Sequence, residues 1–137
     1  MSPGEPLSYE LRMLAYSAFL CLVLWIPYIL AAIQTRGLAR VVGYPTTGDY
    51  SDLPDWAQRT QRAHMNLVEN LVPFAALILL AQLSGQASAA TAFGAALFYW
   101  ARLGHAIVHI AGVPWARTIA FAVAWVGNLI IFWEVVT

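Results

Sequence analysis

The sequence has little charge, no lysine and one cysteine. The low charge and the single cysteine each exclude one possibility. Charged residues make up 10% of the 137 residues, the formal net charge is zero, and all seven basic residues are arginines. A chain without excess positive charge has no electrostatic footprint for nucleic acid, so nucleic acid is excluded as a partner. The single cysteine, Cys21, excludes an internal disulfide and is interpreted as a small packed apolar residue.

Long apolar segments are what the chain has in abundance, since 61% of its residues are hydrophobic. Four such segments each approach the roughly 20 residues that a helix needs to cross a bilayer. We predict an all-α integral membrane protein, an antiparallel four-transmembrane-helix bundle that forms one domain over residues 1–137. The helices are predicted at about residues 11–34, 53–83, 89–111 and 115–136, with a long loop at 35–52.

Proline and aspartate residues predict local features of this bundle. Pro27 and Pro73 lack an N–H group, so each is expected to distort the helix that contains it. Asp52 is predicted to cap the N-terminus of the second helix. The loop before it has two open interpretations, a lid over polar residues of the helices or a mobile surface loop.

Polar residues recur along the second helix in the run R-T-Q-R-A-H-M-N-L-V-E-N-L-V-P-F at residues 59–74. At about 100° per residue they fall on one helical face, which we call the polar stripe. The polar stripe consists of Arg59, Arg62, Asn66, Glu69, Asn70 and Pro73. Ionisable groups at membrane depth are costly, so the stripe should face a bundle interior or a cavity and mark a functional site. His64 falls opposite and is interpreted as a hydrogen-bonded surface or interface residue.

The third helix has a second polar face, formed by Arg102, His105 and His109. Arg102 lies too deep to reach either membrane surface and keeps its proton, so it needs a carboxylate partner. Glu69 is the acid at comparable depth, and we predict a Glu69–Arg102 ion pair. The spacing of the two histidines permits a metal or haem ligand pair, but no third ligand is suitably spaced, and no metal site is predicted.

Arginine counting predicts the orientation of the bundle in the membrane. The side of the first and third loops holds Arg36, Arg40, Arg59, Arg62 and Arg117, and the opposite side holds Arg12. The positive-inside rule then places both loops and the mouth of the polar stripe in the cytoplasm and both termini outside. The use of arginine alone, with many alanines, favours a bacterial source and therefore a bacterial inner membrane.

These side chains suit a small, flexible ligand with carboxylates and an α-amino group. Guanidinium groups hold carboxylates with paired hydrogen bonds, and a glutamate accepts hydrogen bonds from an ammonium group. Many peptides and amino acids fit that description, and the residues alone do not choose among them.

The pattern R-x-x-R-A-H-x-N-x-x-E-N-x-x-P-F, together with a late Pro-x-x-Arg at Pro114–Arg117, resembles a known family. This family is the membrane-associated proteins in eicosanoid and glutathione metabolism, and the resemblance covers nearly the whole chain. It implies a homotrimer of four-helix subunits in membrane lipid that binds glutathione between subunits. It also implies use of the glutathione thiolate in transferase, peroxidase or isomerase reactions on a lipophilic small-molecule substrate.

The resemblance also implies roles for individual residues. The glutathione-binding residues would be Arg62, Asn66, Glu69, His105, His109 and Arg117, with Arg36 as a looser match and Arg102 added from the polar face of the third helix. A thiol has a pKa of about 8.5, and each unit of depression requires about 1.4 kcal/mol of thiolate stabilisation. By analogy, Arg117 and the hydroxyl of Thr118 would supply it as the catalytic pair.

Three departures from the family pattern leave other functions open. Met65 stands where some members have arginine, and His109 and Phe121 stand where tyrosine is common. One alternative is a small membrane transporter in which Glu69 is a proton-coupled acid. Another is a membrane assembly protein without a ligand, in which Glu69 and Arg102 have only a structural role.

Overall fold

A computed structural model of the chain describes residues 5–43 and 48–137. Every regular element in those ranges is an α-helix. In chain order they are α1 Tyr9–Leu24, α2 Ile26–Arg36, α3 Leu38–Val42, α4 Asp55–Leu83, α5 Ala89–Ala111 and α6 Pro114–Val136. By length and composition, three stretches of the described chain are able to cross a membrane: Tyr9–Arg36, Asp55–Leu83 and Pro114–Val136. Helix α5 has 23 residues but also Arg102, His105 and His109, which lower its hydropathy.

Helices α1 and α2 together form the first span, with an interruption at Trp25. The interruption lies next to Pro27, which has no N–H to return to the carbonyl of Val23. Trp25 keeps right-handed helical angles (φ −76°, ψ −23°), so the break is mild. Gly37, with φ +82°, ends α2 in a conformation that favours glycine. The short helix α3 then forms inside the segment that the sequence predicted to be irregular.

The predicted cap on the second helix is wrong. Helix α4 begins at Asp55 after Pro54, and no side chain caps its first turn. Asp52 instead accepts hydrogen bonds from the guanidinium of Arg36, one of them from Nε at 2.7 Å. This bidentate contact engages both carboxylate oxygens of Asp52, so it draws the loop towards α2 and Asp52 does not cap α4. Pro73 lies on an exposed face and α4 continues through it to Leu83.

Helices α5 and α6 are in backbone contact through two glycines. A Cβ atom placed on Gly94 would lie 2.7 Å from the carbonyl oxygen of Gly127, and one on Gly127 would lie 2.6 Å from that of Gly94. Beside this contact the rings of Phe74 and Phe98 stack with centroids 3.8 Å apart, which joins α4 to α5. Residues from α1 and α6, including Met13 and Ile131, complete this buried core.

Polar side chains join three helices at the N-terminal end of α5. Ser88 and Thr91 form a capping box there. The hydroxyl of Thr91 donates to Glu10 of α1 at 2.8 Å, and the hydroxyl of Ser88 donates to Glu134 of α6 at 2.8 Å. These bonds fix α1, α5 and α6 at one end of the molecule. The cavity described below lies at the other end, where α5 ends and α6 begins.

Candidate functional site

A cavity of about 240 Å³ lies between α4, the C-terminal half of α5 and the first turns of α6. Its lining residues are Asn66, His105, His109, Arg117, Thr118 and Phe121. Five of these are site residues that the sequence predicted, and Phe121 was noted there as a departure from the family pattern. The lining contains a guanidinium, two imidazoles, an amide and a hydroxyl but no carboxylate. The cavity therefore suits an anionic group.

Arg102 lies beside this cavity and is 1% exposed. Its Nη1 atom donates to the side-chain oxygen of Asn66 at 2.7 Å, and its Nη2 atom donates to the backbone oxygen of the same residue at 3.3 Å. Within the described chain it forms no ion pair with Glu69, so that prediction is wrong. Glu69 lies three positions beyond Asn66 on α4 and is turned outward, where it is exposed. The positive charge of this buried guanidinium therefore has no carboxylate partner in the described chain.

Two aromatic rings beside Arg102 partly compensate for the lack of a carboxylate partner. The guanidinium carbon of Arg102 lies 5.7 Å from the ring centroid of Phe98 and 5.3 Å from that of Phe121. Cation–π contacts stabilise a desolvated cation by about 2 kcal/mol or more. The Nε atom of Arg102 still has no hydrogen-bond partner in the described chain. Phe98 was not predicted as a site residue from the sequence, although its position four residues before Arg102 puts both on one helical face.

His105 and His109 are buried, at 5% and 8% exposure. Their rings meet edge to face with centroids 5.2 Å apart. Neither ring nitrogen of His109 has a hydrogen-bond partner in the described residues. A buried polar group without a partner costs about 1–3 kcal/mol, so this ring is suited to a ligand. The described residues contain no group of three or more His, Cys, Asp or Glu side chains able to hold a metal ion.

Arg117 and Thr118 lie in the first turn and a half of α6, and both are exposed. No side chain of the described residues caps this helix end, so its free N–H groups add partial positive charge near the cavity. The hydroxyl of Thr118 donates to the carbonyl of Pro114 at 3.2 Å within the same helix. It must turn away from that carbonyl before it can donate to a ligand.

Besides Arg102, three predicted site residues lie outside the lining of this cavity. Glu69 is on the outer face of α4, as described above. Arg62 lines a second, polar cavity of about 190 Å³ between α4 and the loop. The residues around it are Gly48, Asp49, Tyr50, Ser51, Gln58, Gln61 and Arg62. No sequence pattern indicated this cavity, because the loop has no periodic pattern.

Arg36, the third of these residues, binds the loop that precedes α4. Its guanidinium donates to the Asp52 carboxylate and to the carbonyl oxygen of Asp49, and it lies 5.7 Å from the ring centroid of Tyr50. The hydrogen bonds from Arg36 lower the pKa of Asp52 below its ordinary value. Bonds from the backbone N–H and hydroxyl of Ser51 do the same for the pKa of Asp49. The loop is therefore tied to the end of α2 by groups that are charged at neutral pH.

Two other residues of the signature make structural contacts. Arg59 donates from Nε to the carbonyl of Ile110 at 2.8 Å and so closes the C-terminal end of α5. His64 faces α1 and α2, where its Nδ1 atom lies 2.9 Å from the hydroxyl of Tyr28 and its Nε2 atom lies 3.7 Å from the Cys21 sulfur. Cys21 is half-buried in that contact.

Comparison with known proteins gives two similar mammalian sequences. Microsomal glutathione S-transferase 1 of Bos taurus is 35% identical over 77 residues, which are 56% of this chain and 50% of the relative. The human protein of the same name is 35% identical over 65 residues, which are 47% of this chain and 42% of the relative. The aligned part of the chain thus spans about half the length of the curated relatives that it matches. No solved structure matches.

The sequence profile of the MAPEG family matches residues 13–137, which is nearly the whole chain. The match includes the signature on α4, the polar face of α5 and the Pro-x-x-Arg at the start of α6. These are the elements that enclose the cavity. With a match of this extent, the chain belongs to the MAPEG family.

Proposed function

We propose that this protein is a glutathione-binding membrane enzyme. It activates the glutathione thiolate for transfer to lipophilic electrophiles, or for reduction of lipophilic peroxides. The observation that supports this most is the cavity itself, which has Arg117, two imidazoles and a hydroxyl in its lining and no carboxylate. The buried charge of Arg102 lies directly behind it. The name of the two curated relatives points to the same ligand.

The thiol would enter between Arg117 and Thr118. A guanidinium near the sulfur stabilises the thiolate over the thiol, and the positive end of α6 adds to that effect. The peptide part of glutathione has two carboxylates, for which Arg62 and Arg36 are candidates, and an ammonium group, for which Glu69 is a candidate. Arg36 and Arg62 lie near the loop, and Glu69 lies on the outer face of α4. Binding to all of them at once would require a neighbouring subunit or a movement of the loop.

We also propose the assembly and its placement in the membrane. The functional unit is a homotrimer of four-helix subunits in which α5 is the fourth spanning helix. Both ends of this chain lie outside, and the cavity opens to the cytoplasm of a bacterial cell, where the arginine-rich ends of α2 and α4 also lie. Arg102 supports the placement of α5 in the membrane, since the charge of this helix is already buried by protein within one chain.

The test is calorimetric titration of the detergent-solubilised protein with glutathione, combined with the ultraviolet absorbance of the thiolate. We expect saturable binding and a thiolate band at pH 7. Arg117→Ala should lower the amount of thiolate by about tenfold or more, since one unit of pKa corresponds to about 1.4 kcal/mol. Leu22→Ala, on an exposed apolar face of α1, is the control and should leave the amount of thiolate unchanged. Absence of binding at millimolar glutathione would contradict the proposal.

A second candidate is a proton-coupled transporter, and one observation favours it. Glu69 is exposed, and its carboxylate has no ion-pair partner within the described chain. A lone, reachable acid at membrane depth is what such a transporter requires. Loss of cationic-drug transport in Glu69→Gln, with no glutathione binding by the wild-type protein, would support it. A ligand-free assembly protein would instead show no ligand binding to lose in Arg62→Ala and Arg117→Ala.

A further inference from the structure

The groups around the cavity differ in whether they can take up a proton. Arginine keeps its proton in proteins, and asparagine and threonine do not become protonated near neutral pH. Among the cavity's lining residues, this leaves the imidazoles of His105 and His109 as possible proton acceptors. The proton of a thiol that ionises in this cavity therefore goes to one of these rings or to bulk water.

His109 is the better placed of the two rings. It is one turn nearer to the end of α5, and so nearer to the turn that leads to Arg117. Its two nitrogens are buried and have no partner within the described chain, so a lone pair is available. His105 lies deeper, towards the Arg102 guanidinium.

The charges that face His109 couple its protonation to the arrival of an anion. Arg117 faces it from α6, Arg59 and Arg62 face it from α4, and His105 contacts it within α5. These guanidinium groups repel a further positive charge, so an imidazolium in this position requires a negative charge in the cavity. A thiolate supplies that charge.

We propose that His109 is the general base of this site, a catalytic role that rests on the proposed function. The imidazole takes the proton from the glutathione thiol, and the S–H electron pair stays on sulfur. The product is a thiolate–imidazolium pair with Arg117 beside the thiolate. In water the transfer is unfavourable by about two pKa units, the difference between an ordinary thiol and an ordinary imidazole. Arg117, Arg102 and the end of α6 favour the thiolate, and the attraction between thiolate and imidazolium opposes the repulsion of the imidazolium by the guanidinium groups. Together these two effects offset the difference.

The experiment counts protons for each thiolate formed. Glutathione is titrated into the detergent-solubilised protein at pH 7 in two buffers of different ionisation enthalpy, and the thiolate is measured by its ultraviolet absorbance. In the wild-type protein the proton stays on His109, so we expect thiolate with much less than about one proton released to the buffer. In His109→Gln and in His109→Tyr, neither of which can take up the proton, each thiolate formed should release about one proton.

Two further variants make the result specific. His64→Gln removes a histidine that faces α1 and α2 and should leave the proton count as in the wild type. A count that changes in His105→Gln and not in His109→Gln would overturn the assignment of the base. Release of about one proton per thiolate by the wild type would overturn the proposal and leave the proposed function standing. Absence of both glutathione binding and thiolate formation would overturn this proposal and the proposed function together.

Discussion

At the residue scale, the central feature is a buried guanidinium paired with an amide. A buried charge without a counter-ion is costly, and an uncharged hydrogen-bond acceptor offsets only part of that cost. Asn66 provides the acceptor for Arg102, and Phe98 and Phe121 flank the cation. The positive charge that remains is available to an anionic ligand in the adjoining cavity. We infer that ligand affinity depends on leaving this charge uncompensated in the free protein.

We predict opposite effects on stability and on glutathione binding when Asn66 becomes aspartate. Asn66→Asp places a carboxylate 2.7 Å from Nη1 of Arg102, so the thermal unfolding temperature in detergent should stay the same or rise. Glutathione affinity should fall by about tenfold or more, because the new carboxylate neutralises Arg102, one of the two guanidinium charges at the cavity. Asn66→Leu should lower both the unfolding temperature and the glutathione affinity, since the guanidinium then loses an acceptor at a cost of about 1–3 kcal/mol. Unchanged affinity in Asn66→Asp would contradict a role for this charge.

Helical periodicity predicted which residues lie near one another but not which atoms pair. It placed Asn66 and Glu69 on one side of α4 and Arg102, His105 and His109 on one side of α5. Whether Arg102 meets position 66 or position 69 depends on the rotation and height of two packed helices. That relation is set by contacts such as the Phe74–Phe98 stack, which no single-helix pattern contains.

At the element scale, the close approach of α5 and α6 fixes the position of the cavity walls. Gly94→Ala or Gly127→Ala would place a methyl group within 2.7 Å of the opposite backbone, so the helices must separate. We expect each variant to be destabilised by about 1–3 kcal/mol, measured as a lower unfolding temperature in detergent. Gly104→Ala in α5 is the matched control, because a Cβ there meets nothing within 4 Å. It should be neutral, or stabilising by up to about 1 kcal/mol.

The loop that joins α3 to α4 should respond to acid. The pKa of Asp52 is lowered by Arg36, so the bond between them is fully present above the ordinary aspartate pKa of about 3.9. It is lost as the pH falls through the lowered value in the folded protein. Hydrogen exchange at Ser51 to Leu53 should therefore be slow at pH 5 and speed up, beyond the intrinsic pH effect, only below about pH 4.

A charge-removing variant tests this loop at neutral pH. In Asp52→Asn the backbone amides of Ser51 to Leu53 should exchange rapidly at pH 7, as they do in the wild type in acid, because Arg36 loses its charged partner. Asp55→Asn is the control, since Asp55 lies in the first turn of α4 and makes no ion pair with Arg36. Equal exchange in both variants would show that the ion pair does not hold the loop.

Hydropathy and turn residues predicted the long helices from the sequence, because each span is a nearly continuous apolar run. The structure of the segment before α4 could not be predicted in the same way. Helix α3 has five residues, too few for a periodic signal. Helix α4 starts at Asp55 and not at the predicted residue 53, and Asp52 pairs with Arg36, 16 positions earlier in the chain.

At the scale of the whole molecule, polar groups remain on the outside of a chain that belongs in a membrane. Arg62 and Glu69 are exposed on α4, together with apolar neighbours such as Val72 at 69% exposure. Val72 is compatible with lipid, whereas an exposed carboxylate at membrane depth is costly there. The homotrimer proposed above would cover this face of α4 with protein.

Glu69 therefore gives a test of assembly that does not depend on catalysis. If Glu69 lies against a neighbouring subunit, Glu69→Gln keeps hydrogen bonding across the interface, whereas Glu69→Leu cannot provide it. Native mass spectrometry in detergent should show trimers for the wild type and for Glu69→Gln, and a larger monomer fraction for Glu69→Leu. Such hydrogen bonds are worth roughly 0.6–2 kcal/mol, so a shift of about threefold to thirtyfold in the association constant is expected. If the wild-type protein were monomeric yet bound glutathione, Glu69 would face lipid or water, and the cavity of a single chain would be the complete binding site.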